Sequence, residues 1–262
     1  MWEVVEGSGL KHAYGATSCY SPALVQAKML LDDGLIGELR EAEAIAHFEL
    51  SPLLAHSWIH MLEQGGGMLM NLLPHFLGQV QYVSGGPPLW ATGVADSVID
   101  RAPVGSPLHD FRDLFPVEVD VASDSEWREV DADMRATAIV GFERPGGVEV
   151  RGLWHISPFT SGRHPGYLAL AGDRGTIHLT GFPWHHKLEY KPAGSGEWSE
   201  IQIAPSETAT DPVQHGWDRL TAEFVMDVRG TGGPTYPTFR DGYIANQVMD
   251  RVRDVKAQLV GR

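Results

Sequence analysis

A single cysteine, Cys19, occurs in 262 residues. That excludes an intramolecular disulfide and fits a reducing compartment, so a cytoplasmic protein is expected. Placed just before a Ser-Pro helix start, Cys19 reads as a packing residue rather than a nucleophile. Basic residues are also scarce: 20 Lys and Arg face 34 Asp and Glu, a formal net charge of −14. Nucleic acid and anionic membrane are thereby disfavoured as partners, because both would repel the chain at long range. No apolar run approaches the ~20 residues of a membrane span, and no charged-then-apolar leader opens the sequence. The dinucleotide fingerprint G-x-G-x-x-G is missing; Gly7-Ser8-Gly9 and Gly194-Ser195-Gly196 lack the third glycine and the flanking elements. A P-loop and a G-x-S-x-G nucleophile elbow are missing as well.

What is present is ordinary for a folded domain, 43% hydrophobic and 21% charged. The length suffices for a full core in one large or two modest domains. Trp2 to Ser8 reads as a short helix and Leu10 to Thr17 as a strand. Ser21 as N-cap, Pro22 at the first helical position and Gly34 as terminator punctuate the next helix. Ala42, Ala44, Ala46, Phe48 and Leu50 then alternate with Glu41, Glu43, Ile45, His47 and Glu49, the period of a strand with one buried face. Leu89 to His109 fits another strand and a loop, and Phe111 to Glu129 is irregular. Three hairpins follow, turning at Arg144–Gly147, Gly172–Gly175 and Pro192–Gly196. Helices over Trp217–Val228 and Asp241–Leu259 close the sequence. This order predicts an α+β fold with an open, mainly antiparallel sheet and helices on one face. The other face should be covered by a partner subunit or another domain.

The most informative stretch runs from Gly65 to Val83. As a helix it lines up Leu69, Leu72, Phe76, Val80 and Val83 in an apolar stripe. Asn71 and His75 share a second face one turn apart, which Gly78 and Tyr82 continue. The glycines Gly65, Gly66 and Gly67 strip side chains from the place where free helix amides gather. The helix should therefore have its back on a core and its front on a pocket. Other histidines say less. His56 and His60 have metal-ligand spacing but no H-E-x-x-H glutamate, and surface or pocket histidines are the better reading. His185 and His186 are adjacent and would point to opposite faces. His109, His155 and His164 fall near strand ends or loops, open to ligand contact or to solvent. The carboxylates of Asp131 and Asp133 read as solvated, and Asp173 and Arg174 as turn residues.

Four segments, in order, resemble the glucose–fructose oxidoreductase and inositol dehydrogenase (Gfo/Idh/MocA) family: Ser21–Glu38, Gly65–His75, Tyr167–Thr180 and Asp241–Tyr243. The second is similar to the family's G-G-G-x-L-x-D-x-x-x-H motif. The resemblance implies the C-terminal domain of an NAD- or NADP-dependent oxidoreductase, binding a small polar substrate such as a sugar, cyclitol or polyol, and forming a homo-oligomer through its open sheet face. It makes residues 1–17 a remnant of the last helix and strand of a Rossmann domain, and 18–262 the substrate-binding and oligomerisation domain. The family's E-K-P lysine motif would lie upstream; Tyr190-Lys191-Pro192 is not its equivalent. NAD or NADP would serve the full-length parent, and this chain alone should bind neither. The resemblance makes His75 the acid/base candidate, with Asn71 beside it and Tyr20, His155 and His164 toward substrate. Two positions depart from the pattern: the motif's Asp is Asn71, and the Arg often found before Tyr20 is Cys19. A non-catalytic binding or assembly module is the rival reading, and a metal-dependent enzyme built on the histidines is a third.

Overall fold

The computed structural model describes residues 2–106, 108–114, 125–160, 165–204 and 211–254. The elements are α1 (Trp2–Glu6), α2 (Pro22–Asp32), β1 (Leu39–His47), α3 (Met68–Ser84), β2 (Pro88–Asp96), β3 (Arg101–Pro103), β4 (Trp127–Glu129), β5 (Arg135–Phe142), β6 (Val150–Ser157), β7 (Tyr167–Gly172), β8 (Gly175–Thr180), β9 (Lys187–Pro192), β10 (Ser199–Ile201), α4 (Pro212–Val228) and α5 (Phe239–Asp254). Eight strands form one sheet in the order β10-β9-β8-β7-β1-β6-β5-β2, while β3 and β4 pair as a separate ribbon. Every pairing in the large sheet is antiparallel except β1 with β6, where Ala44 meets Trp154 and Ile45 meets His155. The fold is the α+β architecture expected, with one parallel step at its centre. None of the helices among the described residues is long and apolar enough to cross a membrane.

Alternation sorts the two faces of the sheet. Ala42, Ala44 and Ala46 of β1, Trp154 and Ile156 of β6, and Leu168 and Leu170 of β7 are buried toward the helices. Small residues let α3 come close. Gly152 of β6 leaves room that Phe76 fills; a Cβ there would lie 2.8 Å from the Phe76 ring and 2.8 Å from that of Phe142. Leu69, Leu72, Phe76, Val80 and Val83 are all buried, joined by Leu73 and Leu77. The α3 stripe is thus the backbone of the core, and each fully buried aliphatic or aromatic side chain contributes about 1.5–3 kcal/mol. On the sheet itself α2 rests over β8 and β9, whereas α5 lies over β2 beside α3. By contrast α4 packs on the 3₁₀ turn Thr17–Tyr20, where Gly216 approaches the Thr17 carbonyl so closely that a Cβ would come within 2.8 Å.

Two expectations are corrected. No strand forms over Leu10–Thr17. The backbone of this segment pairs elsewhere: Tyr14 donates its N–H to the Pro237 carbonyl at 2.8 Å, and Thr17 begins the 3₁₀ turn. Asp133 is not solvated either, being only 6% exposed. It closes the N-terminus of α3: Met68 N–H donates to its carbonyl and Leu69 N–H to its carboxylate, both at 2.7 Å. Arg253 of α5 donates to the same carboxylate at 2.8 and 3.2 Å. Burial outweighs these partners and holds the Asp133 carboxyl above its ordinary range. Asp173 and Arg174 do behave as turn residues, and they tie their turn to the end of α2, Asp173 accepting from Glu38 N–H and Arg174 donating to the Gly34 carbonyl.

Two imidazoles away from His75 are enclosed without charge. His60 accepts from Ser57 N–H at its Nδ1, and burial with His56 nearby pushes its pKa down to about 4. His185 donates from Nε2 to Gln79 at 3.3 Å; burial foremost, then His186 and His178, push it down to about 3. An unfolded chain would protonate both near the ordinary 6.5, so the folded state binds fewer protons between pH 6.5 and 4. Thermal melts should therefore show a midpoint that is highest above pH 6.5 and falls as the pH drops toward 4; a flat profile over that window contradicts these two environments. In chemical denaturation, Asp133→Ala should cost about 2–4 kcal/mol through the lost cap and the stranded Arg253. Asp133→Asn keeps an acceptor for Leu69 and should cost about 1 kcal/mol; equal losses would contradict the capping role.

Candidate active site

The first half of α3 carries Asn71, His75 and Gln79 at successive intervals of four, hence on one face. Two segments stand opposite: the 3₁₀ turn Thr17–Tyr20 and the loop between β8 and β9. His75 meets both. Its Nδ1 lies 3.0 Å from Ser18 Oγ, and its ring sits 5.8 Å from that of Trp184 at an interplanar angle of 65°. Burial pushes the His75 pKa down to about 4, so the ring is neutral at pH 7. With Nδ1 occupied by Ser18, Nε2 has no protein partner among the described residues.

Asn71 does not hold the imidazole. Its amide donates to the carbonyls of Gly67 at 2.7 Å and Gly65 at 3.2 Å, locking the glycine loop onto the helix start. The glycines themselves serve backbone packing. A Cβ on Gly66 would lie 2.4–2.7 Å from the carbonyls of Trp58, Ile59 and Met61, and Gly67 has φ +96°. Since Asp133 takes the Met68 and Leu69 amides, the helix start is not the open cluster of donors that the sequence suggested.

The remaining candidates are dispersed. Tyr20 donates its hydroxyl to Glu223 of α4 at 2.9 Å, and that carboxylate also accepts from Thr235 and Arg219. Burial and this hydrogen bond push the Tyr20 phenol well up. Tyr20 lines a cleft of about 700 Å³ between α2 and α4, apart from the His75–Ser18–Trp184 contact. Cys19, beside it, donates to the Ala16 carbonyl and is pushed up to about 12 by burial, which leaves no thiolate for nucleophilic work. His155 lies on the sheet face away from the helices, 2.8 Å from Thr137 Oγ1 and edge-on to His47, so it does not join His75. Burial, with His47 and Arg135 nearby, lowers its pKa. His164 lies outside the described residues. Gly78 and Tyr82 line a separate cleft of about 470 Å³ alongside the second half of α3.

The described residues contain no group of three or more His, Cys, Asp or Glu side chains placed to hold a metal ion. His56 and His60 stack at 5.6 Å, with one ring nitrogen each engaged by backbone, from Glu129 and Ser57. What the site can do chemically is narrow: a neutral imidazole, anchored at one nitrogen and open at the other, can accept a proton from a ligand hydroxyl. Ser18, Gln79 and Trp184 escaped the sequence reading. Gln79 had a signal, the i, i+4 spacing from His75; Ser18 and Trp184 are brought to His75 only by tertiary folding.

The sequence matches the family profile of the GFO/IDH/MocA C-terminal domain over residues 24–178. No curated protein matched it. Among solved structures, an NAD-binding oxidoreductase from Klebsiella pneumoniae superposes with a TM-score of 0.72 at 20% identity, over 95% of this chain and 65% of that one. An oxidoreductase domain protein from Kribbella flavida gives 0.71 at 19% identity, over 95% and 65%. Levoglucosan dehydrogenase in complex with NADH and L-sorbose gives 0.72 at 16% identity, over 96% and 66%. The chain thus spans about two thirds of the length of the structures it resembles, and those likenesses are likenesses of fold. The family profile decides the matter: this chain belongs to the GFO/IDH/MocA family and carries its C-terminal domain fold.

Proposed function

We propose that this chain is the substrate-binding and oligomerisation domain of an NAD(P)-dependent oxidoreductase acting on a sugar, cyclitol or similar polyol, with the nucleotide-binding domain lying outside it. The observation that carries this reading is His75: a neutral imidazole on the family's glycine-led helix, held at Nδ1 by Ser18 and open at Nε2. Dehydrogenation of an alcohol removes a hydride from carbon and a proton from oxygen. Only the proton half has a candidate here. In the tautomer that donates Nδ1–H to Ser18, His75 Nε2 presents its lone pair to a substrate hydroxyl and takes that proton.

The residues present do not fit a dinucleotide. The sequence has no G-x-G-x-x-G, and the helix-start amides that could receive a pyrophosphate are consumed by Asp133. This chain alone therefore binds no NAD(P) and turns over nothing. Support for a neutral, hydroxyl-rich substrate comes from the two side chains that meet His75, Ser18 and Trp184, which bring no charge. On this proposal residues 1–17 are a remnant of the nucleotide-binding domain and 18–262 the substrate-binding and oligomerisation domain, in a cytoplasmic protein.

The open sheet face supports the oligomer. It mixes Ile139, Leu153 and Ile45 with Glu43, Arg151, His155 and Tyr167, an apolar band in a polar surround that suits a second copy of this chain. A second reading, a non-catalytic binding or assembly module, is favoured by one observation: among the described residues no carboxylate meets His75, since Asn71 stands where the family motif has Asp and bonds the glycine loop.

Titrating the chain with NADH should leave nicotinamide fluorescence unchanged, while monosaccharides or inositols shift the His75 ring resonances in NMR spectra. Saturable NADH binding would overturn the nucleotide part of the proposal. A His75 ring indifferent to every polyol tested would remove the substrate part.

A further inference from the structure

The loop between β8 and β9, Gly181 to His186, is built more rigidly than a connection requires. Gly181 donates its N–H to the Gly166 carbonyl at 2.7 Å, and His186 donates its own to the Thr180 carbonyl at 3.0 Å. Gly181 has φ +96°, and a Cβ there would strike the His186 ring at 2.3 Å. Phe182 and His185 are buried. Gln79, on α3 one turn beyond His75 and fully buried, then grips the loop twice. Its amide N–H donates to the Pro183 carbonyl at 2.7 Å, and its amide oxygen accepts from His185. Residues 183 and 185 are pinned to the helix, and Trp184 stands between them with its ring against His75.

That arrangement is costly for a mere packing contact. Burying an amide and an imidazole requires desolvating both, which apolar side chains would avoid. The indole they place is itself only partly buried, and its N–H has no protein acceptor among the described residues. It meets the imidazole edge-to-face rather than stacked, so it stands as a side wall and does not seal the ring. An indole presents a negative π face to polarised C–H groups and an N–H donor at its rim. A pyranose or cyclitol chair has a matching patch of C–H groups, with hydroxyls around its edge.

We propose that Trp184 is the specificity wall of the site, packing its indole against the C–H face of an uncharged, ring-form carbohydrate or cyclitol whose hydroxyl reaches His75, and that Gln79 positions it there through the loop. This rests on the substrate reading of His75 given above and adds to it the side chain that meets the ring face, Trp184, and the one that places it, Gln79. Gln79 touches no substrate; it acts through Trp184. Preorganisation of this kind raises affinity by removing the ordering cost of the loop.

The test is a titration of the whole chain with glucose and with myo-inositol, followed at two NMR probes. One is the His75 ring; the other is the Trp184 indole N–H, assigned among the eight tryptophans by its loss in Trp184→Phe. Both probes should shift with one shared affinity. Trp184→Phe should stay within a few-fold of the parent, and Trp184→Ala should weaken binding by about tenfold. A response at His75 with a silent Trp184 indole overturns the wall and leaves the function proposal standing. A response at Trp184 without His75 overturns it as well, since one ligand must touch both. Silence at both probes in the folded protein removes the substrate reading and the wall together. The wild-type indole probe keeps the question answerable if Trp184→Ala does not fold.

Discussion

The carboxylate of Asp133 fixes where α3 begins, and the position of every other group in the site follows from that. With Leu69 and Met68 N–H bound to Asp133 and Arg253 drawn in from α5, the first turn of α3 is tied to the strand side and to the last helix at once. Gly66, wedged among three carbonyls, allows the approach, and Asn71 clamps the glycine loop from the other side. Phe76 then drops into the space left by Gly152. A one-residue slip would turn His75 away from Ser18 by about 100°. The constraint is thus a buried polar cap working against a close-packed apolar stripe, and neither alone would set the register.

The electrostatics follow from the same geometry. The chain is strongly acidic, yet the side chains that meet His75 are neutral: a serine and an indole. Where the family motif has an aspartate, Asn71 spends its donors on backbone carbonyls, so nothing offsets the desolvation of the ring. The imidazole stays uncharged and able to accept a proton, but its protonated form has no carboxylate to rest against. That balance suits a base whose proton must be passed on, and it sets this domain apart from a site built around a His–Asp pair.

Much of the fold could be read from sequence because its signals were local. The α3 stripe follows a 3.6-residue period, β1 alternates cleanly, and each hairpin turn is marked by glycine, two of the three also by proline. What failed depended on distant partners. Leu10–Thr17 has strand-like residues, but its backbone meets the loop before α5, where Tyr14 N–H bonds the Pro237 carbonyl. Asp133 looked like a surface carboxylate because nothing near it in sequence reveals that α3 will dock there. The parallel step of β1 beside β6 joins strands about a hundred residues apart, beyond the reach of turn signals. In the site, His75 was legible from its spacing on the helix. Gln79 was passed over for Gly78, both lying within a turn of His75, and the contacts of Ser18 and Trp184 exist only once the β8–β9 loop and the 3₁₀ turn have closed on the helix.

The reading proposed above is of half an active site: a rigid helix offers one neutral imidazole beside an indole, on a sheet whose far face we propose for a second copy. Its central claim is that His75 is enclosed, held by Ser18 and unpaired with any carboxylate. The direct measurement is the pH titration of the His75 ring by NMR, assigned with His75→Gln. The account predicts an apparent pKa near 4. A ring titrating at or above the ordinary value near 6.5 would contradict it.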